Sequence, residues 1–212
     1  MDLRDLAVQG QRVFVRVDFN VPLVDGAVGD DARIQAALPT LRLLLERGAR
    51  VVCASHLGRP KGEVDESLRM APVARRLEEL LDTPVACVEE CVGPEAEQAV
   101  AALEPGQLLL LENLRFHPGE KKNDPEFVAG LQRLCDLYVN DAFGTCHRAH
   151  ASVVGLPEAL GVDRVAAGFL VGKEIEAFQG LVQETRVDEA LEDYVLSLIA
   201  GTREHPEVLL GA

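Results

Sequence analysis

The sequence predicts an α/β fold in which a mostly parallel sheet is covered by helices on both faces. Short segments rich in β-branched residues alternate along the chain with segments whose apolar residues recur at helical spacing. Residues 108–111 are all leucine, as expected for a strand buried on both faces. Such alternation forms right-handed βαβ units, and the length of 212 residues suits one domain of this kind, alone or with an appendage.

Six segments are expected to form the strands of the sheet. Most of them end at a loop that contains Gly, Pro, Asn or Asp, the residues that turns favour. The predicted strands are residues 13–17, 50–54, 84–88, 108–111, 137–139 and 165–170.

Four helices are expected between these strands. Asp30 or Asp31 caps the first, and Pro39 either kinks this helix or marks its true start. The third covers residues 94–103, and the fourth opens at Asp124 with Pro125 at the first helical position. The apolar faces of the first, second and fourth helices consist of Ile34, Leu38, Leu41 and Leu45, of Val73, Leu77, Leu80 and Leu81, and of Leu131 and Leu134.

The composition limits the partners of the protein. A formal net charge of -14 argues against nucleic acid and against anionic membrane surfaces. No apolar run approaches the roughly 18 residues that span a bilayer, and residues 1–5 lack a signal-peptide pattern, so we expect a cytoplasmic protein. The five cysteines include no CxxC pair, so neither a disulfide framework nor a metal site is expected.

Charged and polar residues follow the predicted strands. In a parallel sheet the loops after the strands gather at one edge, where ligands bind. One interpretation of the cationic stretch at residues 141–150 is a solvated loop, but several such loops at one edge indicate an anion site. The residues in question are Asp18, Asn20, His56, Arg59, Arg115, His147, Arg148 and His150, with Arg33 just beyond the first of these loops.

These residue types indicate the kind of ligand. Arginine guanidinium groups form bidentate hydrogen bonds with phosphate or carboxylate, whereas Asp18 and Asn20 suit a hydroxyl group. The predicted ligand is therefore a small molecule that carries phosphate, carboxylate and hydroxyl groups. A P-loop for a nucleotide is not expected, because no GxxxxGK[ST] motif occurs. Ser55 and His56 are adjacent and point to opposite faces, so they form a poor nucleophile–base pair.

The segments at residues 15–22, 33–34, 55–60, 112–116 and 141–150 together resemble phosphoglycerate kinase. The match runs in order from the N-terminus to about Gln183. The resemblance implies a Rossmann-like, three-layer domain that binds 3-phosphoglycerate or 1,3-bisphosphoglycerate, in an enzyme that transfers a phosphoryl group between 1,3-bisphosphoglycerate and ADP.

The resemblance also implies roles for individual residues. Asp18, Phe19 and Asn20 would hold the glycerate. Arg33 would bind substrate and act as the catalytic residue, by stabilising the charge on the phosphoryl group in transfer. The phosphate and its neighbouring groups would be held by His56, Leu57, Gly58, Arg59, Arg115 and Arg148.

The chain departs from the family's pattern after residue 184. The family binds Mg-ATP or Mg-ADP in a second domain, and no motif of that domain follows Gly180, so no cofactor-binding or metal-binding residue is expected. We predict a family domain at residues 1–184 and an amphipathic helical tail at 185–212. The tail resembles a lid fragment of MoxR-type AAA+ ATPases without a Walker motif. It carries Leu191, Tyr194, Val195, Leu198 and Ile199 on one face.

Three functional hypotheses follow from this organisation. The first is that the chain alone binds 3-phosphoglycerate without turnover, as a monomer that self-associates weakly through its tail. The second is a non-catalytic phosphoglycerate-binding or regulatory module whose tail docks a partner. The third is a relic of the fold that binds nothing.

Overall fold

A computed structural model describes residues 3–184, and the side chains of residues 3–179. Its main feature is a six-stranded sheet in which every pairing of neighbouring strands is parallel. The order across the sheet is β5-β6-β4-β1-β7-β8, and a separate antiparallel hairpin joins β2 and β3. The strands are β1 (Arg12–Val17), β2 (Leu23–Val24), β3 (Ala27–Val28), β4 (Arg50–Ala54), β5 (Val85–Cys87), β6 (Leu108–Leu110), β7 (Leu137–Asp141) and β8 (Val165–Ala167).

Helices cover both faces of the sheet, which confirms the predicted three-layer α/β fold. They are α1 (Ala32–Glu46), α2 (Ala71–Leu81), α3 (Pro94–Ala102), α4 (Pro118–Lys122), α5 (Pro125–Gln132), α6 (Leu156–Leu160) and α7 (Phe169–Glu184). One buried cluster joins α1 and α2 to the sheet, and a second joins α3, α5 and α6 to the opposite face. Side chains alternate between these faces along β1, so that Val13 and Val15 belong to the first cluster and Phe14 to the second.

The strand order creates a switch point between β1 and β7. From β1 the chain passes through α1 to β4 on one side, whereas from β7 it passes to β8 on the other side. In open parallel sheets, ligands bind in the crevice outside the carboxyl ends of the strands at such a point. The loops that follow β1 and β7 contain Asp18 and Arg148, so the topology places two predicted site residues beside this crevice.

The last predicted strand is wrong in its extent. Residues 165–170 are all apolar or glycine, but β8 ends at Ala167 and α7 begins at Phe169. Two buried polar side chains cap the start of this helix. Thr40 Oγ1 accepts a hydrogen bond from the Phe169 N–H at 2.9 Å, and Asp141 Oδ1 accepts one from the Leu170 N–H at 2.8 Å. These hydrogen bonds satisfy N–H groups in the first turn of α7, so they stabilise a helix where the apolar pattern predicts a strand.

Other differences from the sequence prediction are local. Helix α1 runs through Pro39 from Ala32, and it buries Leu44 where Leu45 was expected. Helix α4, the hairpin and a five-residue π-helix at Ala151–Gly155 were not predicted, because segments this short carry no periodic signal.

The contacts within the chain divide it into residues 1–174 and residues 175–212. All site residues discussed below belong to the first unit. In the second unit the structure describes residues 175–184, which complete α7. The predicted amphipathic tail at 185–212 lies outside the described residues. In the described part of the chain, no helix is both long and apolar enough to cross a membrane.

Candidate functional site

The loops that follow β1 and β4 are hydrogen-bonded to each other. The Phe19 N–H donates to Ser55 Oγ at 2.8 Å, and the Gly58 N–H donates to Asn20 Oδ1 at 2.8 Å. The side chains of Phe19 and Leu57 are buried in the core on the α1 side of the sheet. A ligand contact from either residue would therefore come from the main chain, and the two side chains hold the loops in place by packing.

Asn113 connects the β4 loop to the loop after β6. Its Oδ1 accepts hydrogen bonds from the N–H groups of Leu57 and Arg115, both at 3.1 Å, and its Nδ2 donates to Leu57 O at 2.8 Å. Arg115 Nη1 donates to Gly58 O at 2.7 Å. Gly58 has a φ of +62°, and a Cβ there would lie 2.7 Å from Leu68 Cδ2, so this turn favours glycine. The loop backbone is thus fixed before any ligand arrives.

Asp18 and Arg33 form an ion pair at the edge of the crevice. Arg33 lies in the first turn of α1, and its Nη1 donates to Asp18 Oδ2 at 2.5 Å. The Arg33 side chain is 54% exposed, whereas that of Asp18 is 16% exposed. The guanidinium is therefore tethered at one side and open to solvent at the other, which suits a cation that meets a ligand arriving from outside.

Arg16 is a central residue of the site, but no role was assigned to it from the sequence. It lies in β1 and is 1% exposed. Its Nη2 lies 3.1 Å from His56 Nδ1, its Nε donates to Ser152 Oγ at 3.0 Å, and its Nη1 donates to Val17 O. Ser152 Oγ in turn donates to the buried carboxylate of Glu120 at 2.6 Å. A buried cation thus lies directly beneath the β4 loop.

The cationic residues influence one another strongly. Burial, followed by the charges of Arg16, Arg115 and Arg148, lowers the pKa of His56 to about 2. Burial also lowers the pKa of Arg115, and the charges of Arg148, Arg16 and Arg59 add to this effect while Glu120 opposes it. For His150, burial together with the charges of Arg115 and Arg148 lowers the pKa to about 4. The site is therefore a region of positive potential in a chain with a net charge of -14.

The structure brings most of the predicted site residues together. Arg59 and Arg148 are exposed, and each contributes to the potential at Arg115. Arg115 is 7% exposed. His147 is exposed on the same loop as Arg148. Of the predicted residues, Arg59, His147 and Arg148 are exposed, His56 and Arg115 are buried, and Phe19 and Leu57 are buried apolar residues that support the loops.

Some sequence signals for the missed residues exist. Arg16 is the charged residue of the predicted strand 13–17, which is otherwise apolar, and side-chain alternation places it on the face opposite Val15. A buried arginine requires an acceptor, which predicts that a carboxylate packs nearby. No pattern singles out Glu120 or Ser152, because they lie in short elements far away in the sequence.

The described residues also limit the chemistry of the site. Within residues 3–184, no group of three or more His, Cys, Asp or Glu side chains is arranged to hold a metal ion. The arrangement has cationic donors for an anion and one carboxylate, Asp18, for a hydroxyl. The fold and the site together define an α/β domain whose strand-exit loops concentrate positive charge at the carboxyl edge of the sheet.

The chain belongs to the phosphoglycerate kinase family, whose family model, described as "Phosphoglycerate kinase", matches residues 3–191. It is 61% identical over 176 residues to the phosphoglycerate kinase of Moorella thermoacetica, with 83% of this chain and 44% of that protein covered. It is 57% identical over 181 residues to the enzyme of Rubrobacter xylanophilus, with 85% and 45% covered.

Solved structures agree with this assignment. The phosphoglycerate kinase of Pyrococcus horikoshii OT3 superposes with a TM-score of 0.76 at 40% identity, with 84% of this chain and 45% of that chain covered. The corresponding structure from Coxiella burnetii gives a TM-score of 0.75 at 38% identity, with 84% and 44% covered. The chain therefore spans a little under half the length of the relatives that it matches.

The lowered histidine pKa values have a consequence for stability. An unfolded histidine takes up a proton below about pH 6.5, whereas His56 and His150 resist protonation in the fold until about pH 2 and pH 4. Because the unfolded state then binds more protons, the free energy of unfolding is expected to fall as the pH falls below 6.5. Each histidine contributes up to about 1.4 kcal/mol per pH unit.

Urea unfolding between pH 7.5 and pH 5 measures this slope. The His56→Gln variant is expected to show a shallower slope than the unchanged chain, and the exposed His147→Gln reports the effect of the substitution itself. Equal slopes for the unchanged chain and His56→Gln would contradict a neutral, buried His56.

Proposed function

We propose that this chain is the substrate-binding part of a phosphoglycerate kinase, and that it binds 3-phosphoglycerate and 1,3-bisphosphoglycerate at the carboxyl edge of its sheet. The observation that carries the proposal is the concentration of arginine charge around His56 and Arg115, which the buried carboxylate of Glu120 opposes at Arg115. A dianionic phosphate would relieve the mutual repulsion of these cations. Family membership supports the choice of phosphoglycerate among small phosphorylated acids.

Each group of residues has a role in this proposal. Arg59, Arg115 and Arg148 bind the phosphate, while His56 acts as a neutral donor beside them. Asp18 accepts a hydroxyl proton of the glycerate. Because Asn20 Oδ1 already accepts the Gly58 N–H, the amide NH₂ group of Asn20 donates to the ligand.

Arg33 is the proposed catalytic residue. Phosphoryl transfer proceeds through a transition state with charge spread over the phosphoryl oxygens, and a positioned arginine stabilises that charge. The exposed side of Arg33 faces the solvent next to Asp18, where the acyl end of the glycerate would lie. Before the reaction, the Asp18 carboxylate holds the guanidinium in this place.

The activity of the family uses a nucleotide partner, Mg-ATP or Mg-ADP. We expect that this chain does not bind the nucleotide. Transfer requires both substrates to be held in line. We expect the 212-residue chain alone to bind 3-phosphoglycerate but to show no ATP-dependent turnover. A coupled assay on purified chain measures this. Kinase-level turnover that Arg33→Ala abolishes would contradict the expectation and would indicate a nucleotide site in the chain or in a second copy.

Titration calorimetry with 3-phosphoglycerate tests the binding proposal. The unchanged chain is expected to bind one equivalent. Arg59→Ala and Arg148→Ala should each weaken the affinity by about tenfold or more, because each removes a charged hydrogen bond to the ligand.

Lys61→Ala is the control, since Lys61 is an exposed cation close in sequence to Arg59. Its affinity should stay within a few-fold of that of the unchanged chain. Equal affinities for all three variants would contradict the assignment of Arg59 and Arg148 to the site. If the unchanged chain gives no heat of binding, the proposed function fails and only the assignment of the fold stands.

The predictions about the rest of the chain stay predictions. Three of them rest on the sequence alone. They are the likeness of residues 185–212 to a MoxR-type lid, the expected monomer with weak self-association through this tail, and the cytoplasmic location. The family match extends to residue 191, a few residues past the expected boundary at 184.

A further inference from the structure

A continuous string of hydrogen bonds runs through the protein beneath the site. It begins at His56, passes through Arg16 and Ser152, and ends at Glu120, with donor–acceptor distances of 3.1, 3.0 and 2.6 Å. The Ser152 N–H also donates to the other carboxylate oxygen of Glu120 at 3.0 Å. The string joins four elements that are distant in sequence: β1, the β4 loop, α4 and the π-helix at 151–155.

Chemistry sets the direction of every bond in this string. A guanidinium group only donates, so Ser152 Oγ must accept from Arg16, and its own proton must go to Glu120. For the same reason His56 Nδ1 must accept from Arg16. A neutral imidazole has one donor nitrogen and one acceptor nitrogen, so the proton of His56 resides on Nε2.

Burial makes these bonds hard to replace. Arg16 and Glu120 are each 1% exposed, and Ser152 is fully buried. Water cannot take the place of Ser152 without a rearrangement, and an unpaired buried charge is strongly unfavourable. His150 also lies close to Glu120, with its Nδ1 3.8 Å from the carboxylate. Glu120 is thus the buried counter-charge for the inner side of the cationic site.

We propose that Ser152 and Glu120 are positioning residues, which hold Arg16 so that it fixes His56 as the Nε2–H tautomer. The imidazole then presents a neutral N–H donor to an anionic ligand, and not a group whose charge varies. The role of that donor rests on the proposed binding of phosphoglycerate, whereas the tautomer does not. A donor with a fixed orientation loses less conformational freedom when the ligand binds.

Nuclear magnetic resonance of the full chain with ¹⁵N-labelled histidine tests the proposal. The His56 signals are assigned by their loss in His56→Gln. In the unchanged chain, Nδ1 of His56 is expected to show the shift of an unprotonated nitrogen and Nε2 that of a protonated one. Ser152→Ala should convert this pattern into a mixture of tautomers and weaken 3-phosphoglycerate binding by about tenfold.

Two further variants make the outcome decisive. Glu120→Gln keeps an acceptor for Ser152, so the His56 signals should move in the same direction by less, and this variant serves if Ser152→Ala does not fold. Ser67→Ala is the matched control, because the Ser67 hydroxyl bonds to Asp65 in an exposed turn, and it should change nothing.

Distinct results would overturn the inference and the proposed function. A protonated Nδ1 in the unchanged chain, or His56 signals that stay unchanged in both Ser152→Ala and Glu120→Gln, would overturn the positioning role. If the signals respond as expected but the unchanged chain does not bind 3-phosphoglycerate, the positioning of His56 stands and the proposed function fails.

Discussion

Replacing Arg115 by alanine is expected to weaken the binding of 3-phosphoglycerate by at least about 30-fold, the largest effect on affinity of any single substitution in the site. Arg115 is 7% exposed, so its charge acts on the ligand with little screening by water. Loss of one partner from a desolvated charge pair costs about 2–5 kcal/mol, which corresponds to roughly 30-fold or more. The substitution also removes the bond from Nη1 to Gly58 O that supports the β4 loop.

Calorimetry measures this effect, and Arg133→Ala is the matched control. Arg133 follows α5 at the amino-terminal edge of the sheet, where its Nε donates to Glu97 at 2.6 Å and its side chain is 55% exposed. This variant should bind the ligand as tightly as the unchanged chain. Affinity lost equally in both variants would show that the net charge of the protein, and not the site, determines binding.

Replacing Gly168 by alanine is expected to lower the free energy of unfolding by about 2–4 kcal/mol, because it combines overpacking with the loss of a helix cap. A Cβ at this position would lie 2.2 Å from Asp141 Oδ1 and 2.4 Å from Asp141 Cγ. Asp141 is fully buried and accepts the Leu170 N–H, so it cannot move without releasing the start of α7. Chemical denaturation measures the loss.

Gly172→Ala is the control for this substitution. Gly172 lies one turn further along α7, and a Cβ there meets no atom within 4 Å outside its own helix. Alanine at a helical position of this kind should raise the stability by about 0.5–1 kcal/mol. A loss in Gly172→Ala as large as that in Gly168→Ala would mean that α7, and not its junction with Asp141, is intolerant of side chains.

The sequence was sufficient to predict the sheet and the exposed half of the site, for a physical reason. Parallel strands place the loops that follow them at one edge, so Asp18, Arg59 and Arg148 had to lie at the same edge once the alternation of strands and helices was recognised. These residues lie in loops directly after apolar strands, where a local pattern reveals them. A local pattern also predicted the start of α5 at Pro125, which the structure confirms.

The buried half of the site could not be predicted in this way. The bond between Arg16 and Ser152 joins residues that are 136 positions apart, and Glu120 lies in a helix of five residues. Neither the pairing nor the burial of these groups leaves a periodic trace in the sequence. The end of β8 was missed for a similar reason, because the cap of α7 is made by Thr40 and Asp141 from other elements.

The most direct test of the central claim is a map of the ligand site on the backbone amides. 3-Phosphoglycerate is titrated into ¹⁵N-labelled chain, with sodium sulfate at equal ionic strength as the reference. The largest shifts that sulfate does not reproduce should fall in the loops that carry Asn20, Gly58, Arg115 and Arg148. Shifts at saturation that lie mainly at the amino-terminal edge of the sheet, or none beyond those of sulfate, would contradict a phosphoglycerate site in these loops.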